Sequence, residues 1–481
     1  MQKQTILNEK WLLPISLLLF LAGVSAYVFT GTTLLMFAPL ALFYIVLAGI
    51  DWRTAYWLML FCIPLSSQIG LLHDTLSTSL PDEPMMWVLF LLFLVFVSYR
   101  PTIIPAWWFT DPLVWIVILQ YLWLIVAVCY SKVLFLSLKF LIAKSWMLAC
   151  FFVFPLWIFK EKKDYIKAAA LFFIPLLFTM IWGICKHAQD HFSFPTVNKA
   201  VAAFYDNHVD YSTVISMFFP FLLVVYPFLK GRPKWMKLAL AVLVLFFLVV
   251  IFLTYARAAV LAVVFSLVIA AAIRLRLVNF VMPVFYGLIA LLMVYMVRYN
   301  KFIDFKPNYE RTYMHTDFAD HLIATFRGQD MSSMERLYRW IAAVRMSKDE
   351  PLTGYGPHAF YYYYKPYTLT LFKTYVSQNP EHSTTHNYFL YMLVEQGWPA
   401  MILYAILVVL IFAQAQKIYH RFKDPFYKAV TMALAMSFAA CFINNFFSEL
   451  LENHKIGALF YLTLALLVIL NRKSKELDAK C

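Results

Sequence analysis

Charge is what this sequence has least of. Only 14% of its 481 residues are Asp, Glu, Lys or Arg, while 63% are hydrophobic and 19% aromatic. A soluble domain carries about a quarter charged residues, so composition excludes one and implies a polytopic membrane protein. Cysteine is scarce as well: Cys62, Cys129, Cys150, Cys185, Cys441 and Cys481 show no CxxC or paired spacing and mostly sit in apolar runs. They read as small buried hydrophobes, without a disulfide framework. The pairs His187-x-x-x-His191 and His382-x-x-x-His386 lack the glutamate of a metalloprotease helix and a third ligand, so neither a metal site nor a cofactor is expected. Gly354-x-Gly356 has no preceding strand and no third glycine, which excludes a dinucleotide fingerprint. Although the net charge is +14, the basic residues lie in short clusters between apolar runs, so nucleic acid is not an expected partner. The first apolar run, from Trp11, has no small-residue cleavage site and is expected to be a retained helix.

What is present is a series of apolar runs. A span needs about 20 mostly apolar residues, and on that basis about fourteen candidates emerge. They are 11–30, 32–50, 54–71, 84–99, 111–130, 134–158, 164–184, 211–229, 234–254, 257–273, 277–297, 398–416, 426–446 and 455–471. Of these, 54–71 and 84–99 are short enough to be re-entrant. Lipid cannot satisfy exposed backbone groups, and the runs lack the alternation of barrel strands, so the fold is expected to be all-α, with about 12–14 transmembrane helices. The domains expected are a helix bundle over 1–298, a large polar loop over 299–397, C-terminal spans over 398–471 and a tail over 472–481.

Lys and Arg set the orientation. If the N-terminus with Lys3 and Lys10 is cytoplasmic, the inward loops carry Arg53, Arg100, Lys160, Lys230, Arg274, Lys417 and Arg472 with their basic neighbours. The short outward loops carry almost none, and 72–84 is acidic. The positive-inside rule then puts both termini in the cytoplasm and the 299–397 loop outside. Ten of the eleven histidines fall on outward segments, His420 being the exception. The plainer account of that clustering is that one large loop collects the polar residues.

Within the loop, Ser332-x-x-Glu335 is a capping-box pattern, and Leu337, Trp340, Ile341 and Val344 recur at helical spacing. Arg339 and Arg345 read as interfacial arginines reaching for water. Pro351 stops this helix, and Gly354-Tyr355-Gly356-Pro357 makes a turn. Thr384 or Thr385 can cap the next helix, with Leu390, Leu393 and Val394 as its apolar stripe and Gly397 and Pro399 breaking it. His386 is then expected in the first helical turn, where the dipole keeps imidazole neutral and able to accept a proton. Merely helping to cap the helix is the competing role. Arg257, in an almost apolar hairpin after Thr254-Tyr255-Ala256, needs a partner at the membrane edge, and its fork matches phosphate oxygens. The competing role is snorkelling to lipid headgroups. Secondary candidates are Asn207 and His208, where an ordinary polar helix start competes, and the 444–454 edge with Asn444, Asn445, Glu449, Glu452 and His454. Tyr361 to Tyr364 form an aromatic run of the kind sugars stack on, although interfacial tyrosines also explain it.

The run Arg336-x-x-x-Trp340, then Asp349-Glu350-Pro351-Leu352-x-Gly354-x-Gly356-Pro357, then His386-Asn387 and Gly397, resembles the O-antigen ligase/polymerase superfamily. Tyr255-Ala256-Arg257 is similar to that family's Ser-Arg element. The resemblance covers the chain from about Asn207 onward. It implies a GT-C-like, metal-independent, inverting glycosyltransferase of the bacterial inner membrane with a large, mainly helical periplasmic loop, acting in lipopolysaccharide biosynthesis. The implied donor is an undecaprenyl-pyrophosphate-linked glycan, and the acceptor is lipid A–core oligosaccharide or, for a polymerase, a second lipid-linked glycan; membrane lipids surround it. By the resemblance His386 deprotonates the acceptor hydroxyl while Arg257 and Arg336 hold the pyrophosphate; Asn387, His208, Asn207, Glu449 and His382 are the further residues expected to contact substrate. Trp398-Pro399-Ala400 and Ala256-Arg257-Ala258 depart from the family pattern and leave the polymerase open. A lipid-linked glycan transporter is the alternative from another class, and it predicts ionisable groups near mid-bilayer in place of a cluster at one face.

Overall fold

The computed structural model describes residues 34–71, 76–301, 331–368 and 383–478, with a few positions between 18 and 25. The chain is an all-α polytopic membrane protein. Among the described residues, eleven helices are long and apolar enough to cross a membrane. They form two compact units, one of residues 1–104 and 163–179, the other of residues 105–162 and 180–481.

The smaller unit holds helices α1 (Leu34–Ile50), α2 (Trp52–Cys62) and α3 (Asp82–Tyr99), and a hairpin of β1 (Ser67–Leu71) and β2 (Leu76–Leu80). Here the expectation of a span over 54–71 is corrected. After Cys62 the chain tightens into a 3-10 turn at Ile63–Leu65, where Pro64 has no N–H to continue the ladder, and Ser66, Ser67 and Gln68 lead into the strand. The Glu83 carboxylate then fastens β2, accepting from Thr78 Oγ1 at 2.6 Å and from Ser79 N at 3.1 Å. The segment at 84–99, by contrast, is a full-length span. The proposed first span at 11–30 lies almost entirely outside the described residues.

The larger unit contains α4 (Pro112–Cys129), α5 (Leu134–Ile158), the second part of α6 (Lys162–Gln189), α7 (His208–Leu223), α8 (Lys234–Leu253), α9 (Arg257–Arg274) and α10 (Val278–Arg298). After the polar interruption come α11 (Met331–Asp349), α12 (Tyr388–Arg421), α13 (Pro425–Phe446) and α14 (His454–Asp478). Its centre is α13, packed on α7, α9, α12 and α14. Ala433, Ala435, Ser437, Ala439 and Ala440 are all buried, and small side chains of this kind let helices approach closely in lipid. At the other extreme, α8 is the most apolar span and only 17% of it is buried, against 78% of α13. The core helix α13 carries small and polar residues where α8 carries almost only large apolar ones.

The unit has one polar cluster at each end. At the end away from α11, Asp111 caps α4 through Leu113 N (3.0 Å) and accepts from Gln414 Nε2 (3.0 Å) and Asn471 Nδ2 (2.7 Å), tying α4, α12 and α14 together. The other end, called here the loop end, holds α11, residues 351–368 and residues 383–387.

Candidate active site

α11 buries Met334, Tyr338, Ala342, Ala343 and Met346, one face of the helix, while Leu337, Trp340, Ile341 and Val344 are only half-buried. The buried face is therefore rotated by roughly 150°, nearly half a turn, from the expected stripe. Ala343 and Met346 pack against Leu390, Leu393 and Val394 of α12, a contact that small and flexible side chains make better than a bulkier row. Ser332 lies inside α11 rather than ahead of it. The displaced face leaves Arg336 and Arg339 side by side, since residues three apart share a helix face.

The backbone of the Pro351–Pro357 turn is committed to packing. It docks on α12 through backbone bonds: Tyr355 N to Val394 O (2.8 Å), Gly356 N to Glu395 O (2.9 Å) and Trp398 N to Pro351 O (2.9 Å). α12 kinks at Gly397, whose φ of 79° and ψ of 179° are open only to glycine. A Cβ there would sit 1.9 Å from Leu352 O, and one at Gly354 would sit 2.5 Å from Val394 O. The buried Glu395 carboxylate receives His358 N at 2.7 Å.

Asn387, and not Thr384 or Thr385, caps α12, accepting from Leu390 N at 3.1 Å and donating through Nδ2 to Phe446 O at 2.9 Å. His386 accordingly precedes the helix, in a left-handed conformation with φ 50°. Its ring is pushed from 6.5 down to about 3, first by burial, then by the guanidinium of Arg339 and that of Arg336. Burial and the two guanidiniums, rather than a place inside the first helical turn, favour the neutral ring. Among the described residues, no side chain hydrogen-bonds the imidazole.

Glu449, on the connection between α13 and α14, meets this segment directly. The Thr384 hydroxyl donates to its carboxylate, the Thr385 hydroxyl divides its one proton between that carboxylate (3.5 Å) and Asn387 O (3.2 Å), and the His386 N–H faces the carboxylate closely enough to hold its pKa down. Burial raises its pKa, and these donors together with Arg339 oppose that rise. Arg339 also pairs with Glu335 at 3.3 Å. Glu452 takes the Tyr388 hydroxyl at 2.7 Å and pairs with Lys144 at 2.8 Å.

Asn207 and His208 lie at the start of α7. Asn207 spends its side chain on the cap, accepting from Val209 N and Asp210 N and donating to Asp210. His208 bonds Asn198 Oδ1 through Nδ1 at 2.6 Å. Asn444 and Asn445 are buried and hold helices together, Asn444 donating to Ser216 Oγ and Asn445 accepting from Leu451 N. His187 is bonded to Ser193 O at 2.9 Å and stacks edge-on with Phe192. His382 lies outside the described residues. No group of three or more His, Cys, Asp or Glu among the described residues is placed to hold a metal ion.

Arg257 opens α9, and no side chain caps that helix. Ser266 Oγ donates to Met436 O at 3.0 Å, and His420 bonds Ile273 O at 2.8 Å near the other end. With α9 antiparallel to α13, Arg257 is level with the last turn of α13, about 13.5 Å beyond the Ser266 contact. It shares the loop end with His386, yet among the described residues the charges acting on His386 are Arg339 and Arg336.

Two residues were missed. Arg339 reads as interfacial in the sequence, although its spacing from Arg336 puts both on one helix face. Lys455 is 2% exposed, lies 4.1 Å over the Tyr205 ring and donates to Phe204 O, joining α14 to the chain before α7. A lone lysine opening a helix on the outward side runs against the charge rule, and that was its signal.

Residues 241–405 match the family model for O-antigen ligase, a stretch running from α8 through Arg257, Arg336 and His386 into α12. No curated protein matches the chain.

Proposed function

We propose, on the premise that this chain is a member of the O-antigen ligase/polymerase superfamily, that it transfers a glycan from undecaprenyl pyrophosphate to a sugar hydroxyl of lipid A–core. The reaction is metal-independent and inverts the anomeric carbon, and it takes place at the periplasmic face of the inner membrane with both termini cytoplasmic. One observation carries this reading: an imidazole kept neutral, with no hydrogen bond to its ring among the described residues, beside two guanidiniums. His386 takes the proton of the acceptor hydroxyl as its oxygen attacks the anomeric carbon. The bond to the pyrophosphate oxygen breaks, and the leaving undecaprenyl pyrophosphate carries the negative charge. Arg336 and Arg339 are placed to stabilise that charge from α11, and Arg257 from the uncapped start of α9. A ring held near 3 is by itself a weak base. The donor's negative charge offsets the arginine field, so basicity rises when donor binds.

Purified protein with an undecaprenyl-pyrophosphate-linked glycan and either acceptor tests this. His386→Ala is expected to lower transfer about 10²–10⁴-fold, the usual contribution of a general base. Full transfer by both His386→Ala and Arg257→Ala defeats the mechanism. Product on a second lipid-linked glycan, with none on lipid A–core, makes the enzyme a polymerase. Lipid crossing the bilayer without transfer makes it a transporter.

A further inference from the structure

The backbone of His386 is held in a conformation that non-glycine residues avoid. A left-handed φ of 50° costs a β-substituted residue about 1–2 kcal/mol and persists only where the surroundings over-determine it. The surroundings here are the connection from α13 to α14. It grips residues 384–388 at three points: Phe446 O takes the Asn387 amide, Glu449 takes the donors of Thr384, Thr385 and His386, and Glu452 takes the Tyr388 hydroxyl. The connection is itself fixed, because Asn445 Oδ1 accepts from Leu451 N at 2.9 Å and Lys144 anchors Glu452. The grip by Glu449 falls on the two residues immediately before His386, and its carboxylate also faces the His386 N–H.

We infer that Glu449 is a positioning residue for the transfer reaction: its carboxylate locks the 384–386 backbone so that the His386 ring stays presented to the acceptor hydroxyl. This rests on the reading of His386 as the base. A substrate-binding role fits less well, since three protein donors already converge on the two carboxylate oxygens and a sugar hydroxyl would have to displace one. The proximity of Arg339 to the same carboxylate adds a second constraint, tying α11 to the segment that carries the histidine.

The test uses the full chain in detergent or vesicles, with kcat and both KM values measured for Glu449→Gln and Thr384→Val. An amide in place of the carboxylate keeps the shape but turns one acceptor into a donor facing three donors. Glu449→Gln is expected to lower kcat at least about tenfold, with KM for donor and acceptor within about twofold. Thr384→Val removes one donor and leaves the charge. Its expected effect is a smaller loss confined to kcat, which Thr384→Ser restores. Unchanged kcat in Glu449→Gln overturns the inference, and so does a raised acceptor KM at constant kcat, which would make Glu449 a substrate ligand. If Glu449→Gln does not fold, Thr384→Val decides: a kcat-only loss supports positioning, and no loss overturns it. A fully active His386→Ala is a separate outcome, and it removes the base itself.

Discussion

Two segments at the loop end carry the most distinctive residues of the chain, and they do opposite things. The Pro351–Pro357 turn, with its Gly354-x-Gly356, spends its backbone on α12 and α4–α5. Besides the bonds to Val394 and Glu395, Lys132 N donates to Tyr355 O at 3.0 Å and Ser137 Oγ to Pro357 O at 2.9 Å. A Cβ at Gly356 would lie 1.9 Å from Ser131 Oγ. The Ser383–Asn387 segment instead spends side chains and one N–H on its surroundings and leaves the imidazole without a hydrogen bond among the described residues. Glycines close to a phosphate-like site invite a phosphate-binding reading, but these glycines are consumed by docking. Saturated backbone marks the frame, and a ring with no hydrogen-bond partner among the described residues, inside a saturated frame, marks the chemistry.

The contrast breaks if either segment behaves like the other. The largest expected effect is His386→Ala, which lowers turnover while leaving the melting temperature of the detergent-purified protein within about 2 °C of the parent, because no described hydrogen bond of the fold uses the ring. Gly397→Ala and Gly354→Ala do the reverse. Each forces a Cβ into a backbone oxygen at positive φ and costs on the order of 2–4 kcal/mol, read as a lower melting temperature with turnover per folded molecule preserved. A smaller effect is on pH. With the His386 ring at about 3 when folded and 6.5 otherwise, the neutral ring contributes stability above 6.5 that is lost as pH falls toward 3. The acid limb of kcat/KM should lie well below 6.5. Removing a positive charge raises the ring, so Arg339→Ala moves that limb to higher pH, and Arg336→Ala moves it less. A limb unmoved by either variant would separate the arginines from the base. The smallest effect is Trp123→Phe, which deletes the indole donor to Gln396 O (2.8 Å) beside the kink and costs about 1 kcal/mol by equilibrium unfolding.

By itself the sequence determined the class of protein and most of its spans, because a helix in lipid is specified by a run of apolar residues whatever its neighbours are. It also singled out His386, Arg336 and Arg257, because charge and imidazole are rare here and their positions stand out. Two things were beyond it. The 54–71 run was apolar enough to suggest a span, yet Pro64 and the serines after it turned the chain into a hairpin. That competition between hydropathy and local backbone chemistry is settled only by pairing with Leu76–Leu80. The tertiary structure alone decided which arginine stands closest in effect to the histidine, which residue caps α12, and that Glu449 closes on the Thr384 and Thr385 hydroxyls from more than sixty residues away. The physical reason is range. Apolar periodicity acts within one helix and is written locally, whereas a carboxylate, a guanidinium and an imidazole become a site only when packing of α11, α12 and α13 brings their helix ends together.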